Sequence, residues 1–513
     1  MATVPCDAWD CRSLFYSRAG AIPAVDWIDA IMTQPIQANK KRGRKTKPAE
    51  IAGLSVASML LLSGCMVGPH YKRPAVVAPP TYRDAELVTK DPGGQASVAD
   101  LKWSEVFKDE DLKALLAEAI KNNYDVRIAA QRILEQQAQV GVTKAQMLPS
   151  ANAGAAYSAV GIPSGLLGNE TSPKYYGGGF TATAAWNLDF WGLYRRQNEA
   201  ARAELLATEW GRRATLSSIV INVASAYVQL RALDAQLEIT KATLDSRKAS
   251  LRLVSLRERT GATTMADVHQ AEQLLYAAES VQPQLESQIR QQENSLSLLL
   301  GRNPGPIVRG KRNTEQPHPE EIPTGIPSQL LERRPDIQRA EAELVAANAR
   351  IGVARAQFFP QISLTALGGT STSQLNKLFD SSSSYWLANG AISQPLFAGG
   401  RLKNDLKAAE ATQQEVVVNY QKTIASAFRD VSNALIVYQK SKEDRIAQEK
   451  QTEAASQSVK LARLRYDNGR SSYLEVLTND TNLFSAQLNL ASVQEQEALS
   501  LVQLYAALGG GWQ

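Results

Sequence analysis

Apolar residues between Leu193 and Arg259 recur at Leu216, Val223, Leu230, Leu237, Leu244 and Leu251, a spacing of seven, with Ile219, Ala226 and Leu233 interleaved. A seven-residue apolar repeat keeps one stripe on one side of a helix and marks a coiled-coil seam. No proline interrupts the stretch, and Gly261 follows it, ready to supply the positive φ of a sharp reversal. The pattern predicts one helix of roughly 67 residues, about 100 Å at 1.5 Å per residue, longer than any globular core requires. A return helix is expected over 264–300 and an opening helix over 112–148. Their summed length nearly equals the rod, so the two can stack end to end beside it. Pro283, inside the return helix, predicts a kink.

Before the rod the period drops to two. Within 180–188 one face carries Phe180, Ala182, Ala184, Trp186 and Leu188, and the other Thr181, Thr183, Ala185 and Asn187. Such alternation suits a strand with lipid on one side and water on the other. Partner segments at 151–159, 361–368 and 385–393 make four strands per chain. Four strands cannot close a barrel, and open edges in lipid leave N–H and C=O groups unpaired, so the pattern calls for several copies of the chain. A soluble hairpin pair packed on helices is the competing reading.

The order helix, strand, strand, rod, turn, helix is written twice. Residues 125–149 align without gaps on 336–360, with Gly141 on Gly352 and Pro149 on Pro360, an offset of about 211. Further on, Phe190-Trp191-Gly192 meets Phe397-Ala398-Gly399 at about 207, and Gly261 meets Gly469 at about 208. The second copy is expected to use 330–359, 401–467 and 472–508. One duplicated substructure, used twice around a pseudo-symmetry axis, accounts for this.

Charge excludes more than it identifies. The first 64 residues carry 8 Lys and Arg against 5 Asp and Glu, which leaves 48 against 46 for the remainder, so no basic footprint for nucleic acid appears. The basic block 40–47 is followed by an apolar run, 51–62, and by Leu62-Ser63-Gly64-Cys65, the order of a signal peptide. This resembles a bacterial lipobox, which implies cleavage before Cys65 and a lipid on that cysteine. Met66, where an Asp would resemble an inner-membrane retention signal, favours the outer membrane. Residues 1–31 fit no signal layout, and Met32 is the expected start. The boundaries read from the chain are 1–31 as an N-terminal extension, 32–64 as signal peptide, 65–110 as lipidated segment and girdle, 111–301 as first repeat, 302–329 as equatorial linker, 330–509 as second repeat and 510–513 as tail. Past Cys65 there is no further cysteine, and the only histidines are His70, His269 and His318. With no phosphate loop and no HExxH spacing, an enzyme finds no support.

Several motifs together resemble the trimeric outer-membrane tunnel proteins of tripartite efflux systems, the lipoprotein branch paired with resistance-nodulation-division pumps. They are Cys65 to Pro74 (CMVGPHYKRP), Pro283-Gln284-Leu285-Glu286, 298–305 (LLLGRNPG), 331–337 (LERRPDI), Gln357-Phe358-Phe359-Pro360 and 507–512 (ALGGGW). The resemblance covers 65–513. It implies an α+β membrane protein whose homotrimer forms a twelve-stranded β-barrel continuous with a twelve-helix periplasmic tunnel. It also implies a periplasmic adaptor and an inner-membrane efflux pump as partners, outer-membrane lipid around the barrel, and no cofactor beyond the covalent lipid on Cys65. The adaptor would meet the hairpin tips at Thr260, Gly261, Asn468, Gly469 and Arg470. Gate residues of relatives map onto Asp267, Tyr466, Leu474 and Glu475, as carboxylate and apolar rings. Thr478 stands where many relatives carry Asp and Ser471 where some carry Arg, so the contacts that close this gate are left open. A tunnel for protein or polysaccharide, or a pore-free coiled-coil lipoprotein, are the alternative functions.

Overall fold

The structure, a computed structural model, describes residues 66–91, 94, 96–161, 174–310, 312 and 322–512. The expectations for Cys65, 1–31 and 32–64 lie outside the described residues. In chain order the main elements are α1 (Glu110–Asn122), α2 (Tyr124–Ala145), β1 (Ser150–Gly161), β2 (Lys174–Leu188), α3 (Leu193–Arg259) and α4 (Met265–Leu299). The second copy supplies α5 (Pro327–Arg333), α6 (Pro335–Ala356), β3 (Gln361–Thr370), β4 (Ser384–Ser393), α7 (Arg401–Asp467) and α8 (Tyr473–Ala507).

The rod is as long as its heptads require: α3 and α7 each have 67 residues, and α4 and α8 each have 35. One register corrects the sequence reading. The N-cap of α3 is Gly192, with φ 81°, and that of α7 is Gly400, with φ 85°. Gly400, not Gly399, is therefore the counterpart of Gly192, and the offset holds at 208 from there to the ends of α4 and α8. The likeness of Phe397-Ala398-Gly399 to Phe190-Trp191-Gly192 hid this, because either glycine of the pair 399–400 fits a left-handed cap.

The opening helices are not single. Asn123 leaves the helical region (φ −55°, ψ 136°), and its side chain accepts from the amides of Asp125 and Val126, capping α2. In the second copy Arg334, held extended by the following Pro335, separates α5 from α6. Both interruptions sit where the opening helix meets the return helix. Asn123 Nδ2 donates to Leu299 O at 2.8 Å, and a Cβ on Gly301 would collide with Asn122 O. The two shorter helices thus stack end to end against the rod. Leu112, Leu116, Ile219, Val223, Leu230 and Leu296 bury one core at this junction, and Leu330, Ile337, Ile424, Val431, Leu435 and Leu504 its counterpart in the second copy. Helix α4 runs through Pro283 as one element.

The four strands form one antiparallel sheet in the order β1-β2-β3-β4, with Ala151 opposite Ala184, Trp186 opposite Leu364 and Leu364 opposite Gly390. Every residue of β1 and β4 is exposed. Among the described residues no helix layer covers these strands, so the soluble packed-hairpin reading fails. Their outer edges carry unpaired backbone groups.

From Met66 a strap runs antiparallel along α6. Val67 N donates to Trp191 O (3.1 Å), Asn348 Nδ2 to Pro69 O (3.1 Å) and Tyr71 OH to Glu341 (3.2 Å), while Ser97 bridges Thr324 at the far end. The fully buried Arg196 donates to the carbonyls of Val67 (3.1 Å) and Gly68 (3.2 Å) and pairs with Glu199 (2.8 Å). Beside this clamp Trp191 stacks on Phe359, ring centroids 4.8 Å apart, at the base of the sheet.

Candidate periplasmic gate at the hairpin tips

Each rod reverses in the same way. Gly261 N donates to Glu258 O and Ala262 N to Arg257 O; Gly469 N donates to Tyr466 O and Arg470 N to Arg465 O. This double closure requires a left-handed residue, and Gly261 and Gly469 supply it with φ of 74° and 69°. Thr260, Gly261, Asn468, Gly469 and Arg470 are all exposed at the extreme ends of the hairpins.

The four mapped gate residues have unequal surroundings. Asp267 is the third residue of a capping box: its carboxylate accepts from Thr263 Oγ1 (2.5 Å), Thr264 Oγ1 (2.9 Å) and Thr264 N (3.1 Å), and Thr264 Oγ1 accepts from its amide. Those bonds, that from Thr263 foremost, hold its carboxyl below the ordinary value of 3.8. Glu475 pairs with Arg465 at 3.0 Å. Leu474 is exposed, 58%. Tyr466 lies half-buried against Tyr473, centroids 5.2 Å apart, with the Arg257 guanidinium 4.9 Å from its ring. Thr478 donates to Leu474 O within its own helix, and the buried hydroxyl of Ser471 has no partner among the described residues.

The two tips are fastened to each other by residues the sequence reading passed over. Arg257 of the first bonds Asp467 of the second (3.0 Å). Deeper in, Asp480 takes Arg247 Nε on one oxygen (2.9 Å) and Arg463 on the other (3.2 Å), while Arg247 also donates to Leu274 O (2.7 Å) and lies 5.1 Å from the Phe484 ring. Val254, Val268, Tyr473, Val476 and Leu477 close an apolar plug around them, and burial pushes the Tyr473 phenol up to about 12. A signal for Arg247 existed: Ile219, Ala226, Leu233, Thr240, Arg247 and Val254 are one column of the heptad seam. A charge in a buried seam column demands a buried partner, and Asp480 is that partner.

Since the Asp267 pKa is depressed on folding, its stabilisation is complete above the unfolded value of 3.8 and is lost as pH falls through the lower folded value. Amide exchange in the first turn of α4, corrected for intrinsic rates, is therefore expected to stay flat from neutral pH to about pH 5 and to rise only below about pH 4. Asp267→Ala should remove about 0.3–1.5 kcal/mol of local stability at neutral pH and flatten that profile. An unchanged profile in the variant contradicts the capping role.

The description "Outer membrane efflux protein" fits the chain over residues 115–302 and again over 326–510. The chain is 35% identical over 471 residues to the cation efflux system protein CusC of Escherichia coli O6:H1, covering 91% of this chain and 99% of that one. It is equally 35% identical over 463 residues to the solvent efflux pump outer membrane protein SrpC of Pseudomonas putida, covering 90% and 98%. A crystal structure of CusC, solved in work on folding and transmembrane channel formation, superposes with a TM-score of 0.78 at 33% identity over 87% of this chain and all of that one. Its duplicated rods, uncovered sheet and double family match establish that this chain belongs to the outer membrane efflux protein family, channel proteins of the Gram-negative outer membrane.

Proposed function

We propose that the chain is the outer-membrane duct of a tripartite efflux system, working as a homotrimer that passively conducts small molecules handed on by an inner-membrane pump and a periplasmic adaptor. The observation that carries this reading is the four-stranded sheet with both edges open and its outer strands exposed throughout: three copies give twelve strands, enough to close a membrane barrel. The chain performs no chemistry of its own, and the energy comes from the pump. Equal identity to a relative named for cations and to one named for solvents argues that the duct is a shared conduit and that cargo is chosen upstream. A lipid on Cys65 would anchor the segment that enters the fold at Met66. The tips form the gate: Leu474 supplies an exposed apolar ring, Asp267 and Glu475 charged rings, and Thr260, Gly261, Asn468, Gly469 and Arg470 the adaptor surface.

The test is single-channel conductance of the purified mature protein in planar bilayers, with native mass spectrometry of the same sample. Trimers with small, cation-selective openings are expected, and Asp267→Asn with Glu475→Gln should reduce the cation preference. Monomers without conductance would overturn the duct. Conducting trimers with unchanged selectivity in the double variant would remove these carboxylates from the gate.

A further inference from the structure

The cross-strand pairs divide the sheet into two unlike faces. On one, Leu188 stands opposite Ile362 and Ile362 opposite Ile392, while Ala184 stands opposite Ala366 and Ala366 opposite Ala388. Residues directly opposite in an antiparallel pair share a face, so this face is apolar across the strands. The other face carries Thr183, Asn187, Thr365 and Asn389. At the end of the sheet away from the rods the apolar face also carries Tyr157, Tyr176, Phe180 and Trp386, all exposed.

The connection from β3 to β4, residues 371–383, leaves the sheet at that end and folds back over the apolar face. There the Phe379 ring stacks on Phe180, centroids 5.8 Å and planes 22° apart. The loop is closed on itself. The amides of Lys377, Leu378, Asp380 and Ser383 each donate to the carbonyl three residues back, Gln374 N donates to Thr372 Oγ1, and Ser371 N donates to Ser383 O at 2.8 Å. Thr372 exchanges both backbone bonds with Gly178 of β2, and Ser383 Oγ donates to Lys377 O. With these backbone groups paired, entry into a medium poor in water costs little. Yet the loop presents Leu375 and Phe379 outward, 73% and 81% exposed. One exposed apolar residue is ordinary; two on a compact loop, continuous with an apolar strand face, mark an interaction surface.

We propose that loop 371–383 is a membrane anchor lying in the headgroup and upper acyl region of the outer leaflet, with Leu375 and Phe379 among the acyl chains. The inference rests on the reading of the sheet as part of a membrane barrel and adds to it a contact made by a connection rather than by a strand. Lipid is the occupant because the loop continues the face that lipid covers in that reading. The stack on Phe180 seats it over β2, away from β1 and β4, the strands at whose open edges another strand would pair. The rods join the sheet at its opposite end, which places the loop in the leaflet remote from them. β3 and β4 stop at 10 residues each where β2 runs to 15, and the loop lies where the shorter strands stop. Aromatic side chains favour this interfacial depth, and exposed Lys377 can keep its ammonium in the headgroup layer. The anchor thereby broadens the duct's hold on the leaflet without lengthening a strand.

Past Cys65 the chain has no cysteine, so one introduced thiol places one fluorophore. The purified mature protein, reconstituted in phosphatidylcholine–phosphatidylglycerol vesicles, is labelled in turn at Leu375→Cys, Phe379→Cys, Ser382→Cys in the serine run, and Ala184→Cys on the strand face. Lipids with a nitroxide high on the acyl chain should quench the labels at 375 and 379 several-fold more than a water-soluble nitroxide does. The order should reverse at 382, and at 184 lipids with a deep nitroxide should quench most. Lipid quenching at 184 alone, with 375 and 379 as open to water as 382, would overturn the anchor and leave the barrel standing. Lipid quenching at none of the four removes the barrel reading together with the anchor. Labels at 375 and 379 shielded from both quenchers mean that protein covers the loop, which also sinks the proposal. If the variants do not insert, unmodified protein is irradiated in vesicles holding a lipid with a photoreactive acyl chain. Adducts are expected on Leu375, Leu378 or Phe379; adducts on Trp386 with none on the loop count against the anchor.

Discussion

Asp480→Ala is expected to loosen the tips more than any change at the four mapped gate residues. The substitution strips Arg247, buried at the seam, of its carboxylate, and removing one partner of a buried pair costs about 3–5 kcal/mol because the other charge remains in the apolar plug. Arg463 is affected less, since its side chain is 42% exposed and water replaces the lost partner. The readout is conductance of reconstituted protein and the proteolytic susceptibility of the tip loops, both rising. Combining Arg247→Met with Asp480→Ala should recover part of the loss, because an apolar side chain fits the plug without an unpaired charge. A single variant indistinguishable from wild type, or a double variant worse than the single, would sink this account of the fastening.

The second large effect is expected at the other end of the rod. Arg196→Ala leaves the carbonyls of Val67 and Gly68 without donors at about 1–3 kcal/mol each, and it empties a volume enclosed by Gly68, Gly352 and Glu199. Hydrogen exchange over 66–73 should rise sharply while exchange at the hairpin tips stays as it was. Arg196→Lys is expected to restore little, since an ammonium lacks the planar fork that reaches two carbonyls and Glu199 together. Unaltered protection of the strap in Arg196→Ala would mean that its bonds to Asn348, Trp191 and Glu341 hold it without the guanidinium.

The long helices were legible because their signal is redundant: six heptads, no proline and a terminal glycine all say the same thing. The strands were legible through the alternation at 180–188, although β2 begins earlier and β1 extends further at both ends. Two features were hidden for physical reasons. The break at Asn123 rests on one side chain bonding two amides and a distant carbonyl, which leaves no periodic trace. The tip fastening joins Arg247 to Asp480 and Arg257 to Asp467, each across more than two hundred residues, and a single charge in a seam column was its only local sign. The mapped residues Asp267 and Glu475 were found by position, but their engagement within their own hairpins belongs to the tertiary structure.

The constant offset between the two rods also restricts how such a duct can change length. One inserted residue turns everything beyond it by about 100°, carrying the seam off its partners. An insertion of seven nearly restores the facing, so extension proceeds in steps of about 10.5 Å. Each step has to be made in α3, α4, α7 and α8 together, or Arg247 and Arg257 part from Asp480 and Asp467. Spacers designed to match this duct to a wider or narrower periplasm therefore come in whole heptads, four at a time.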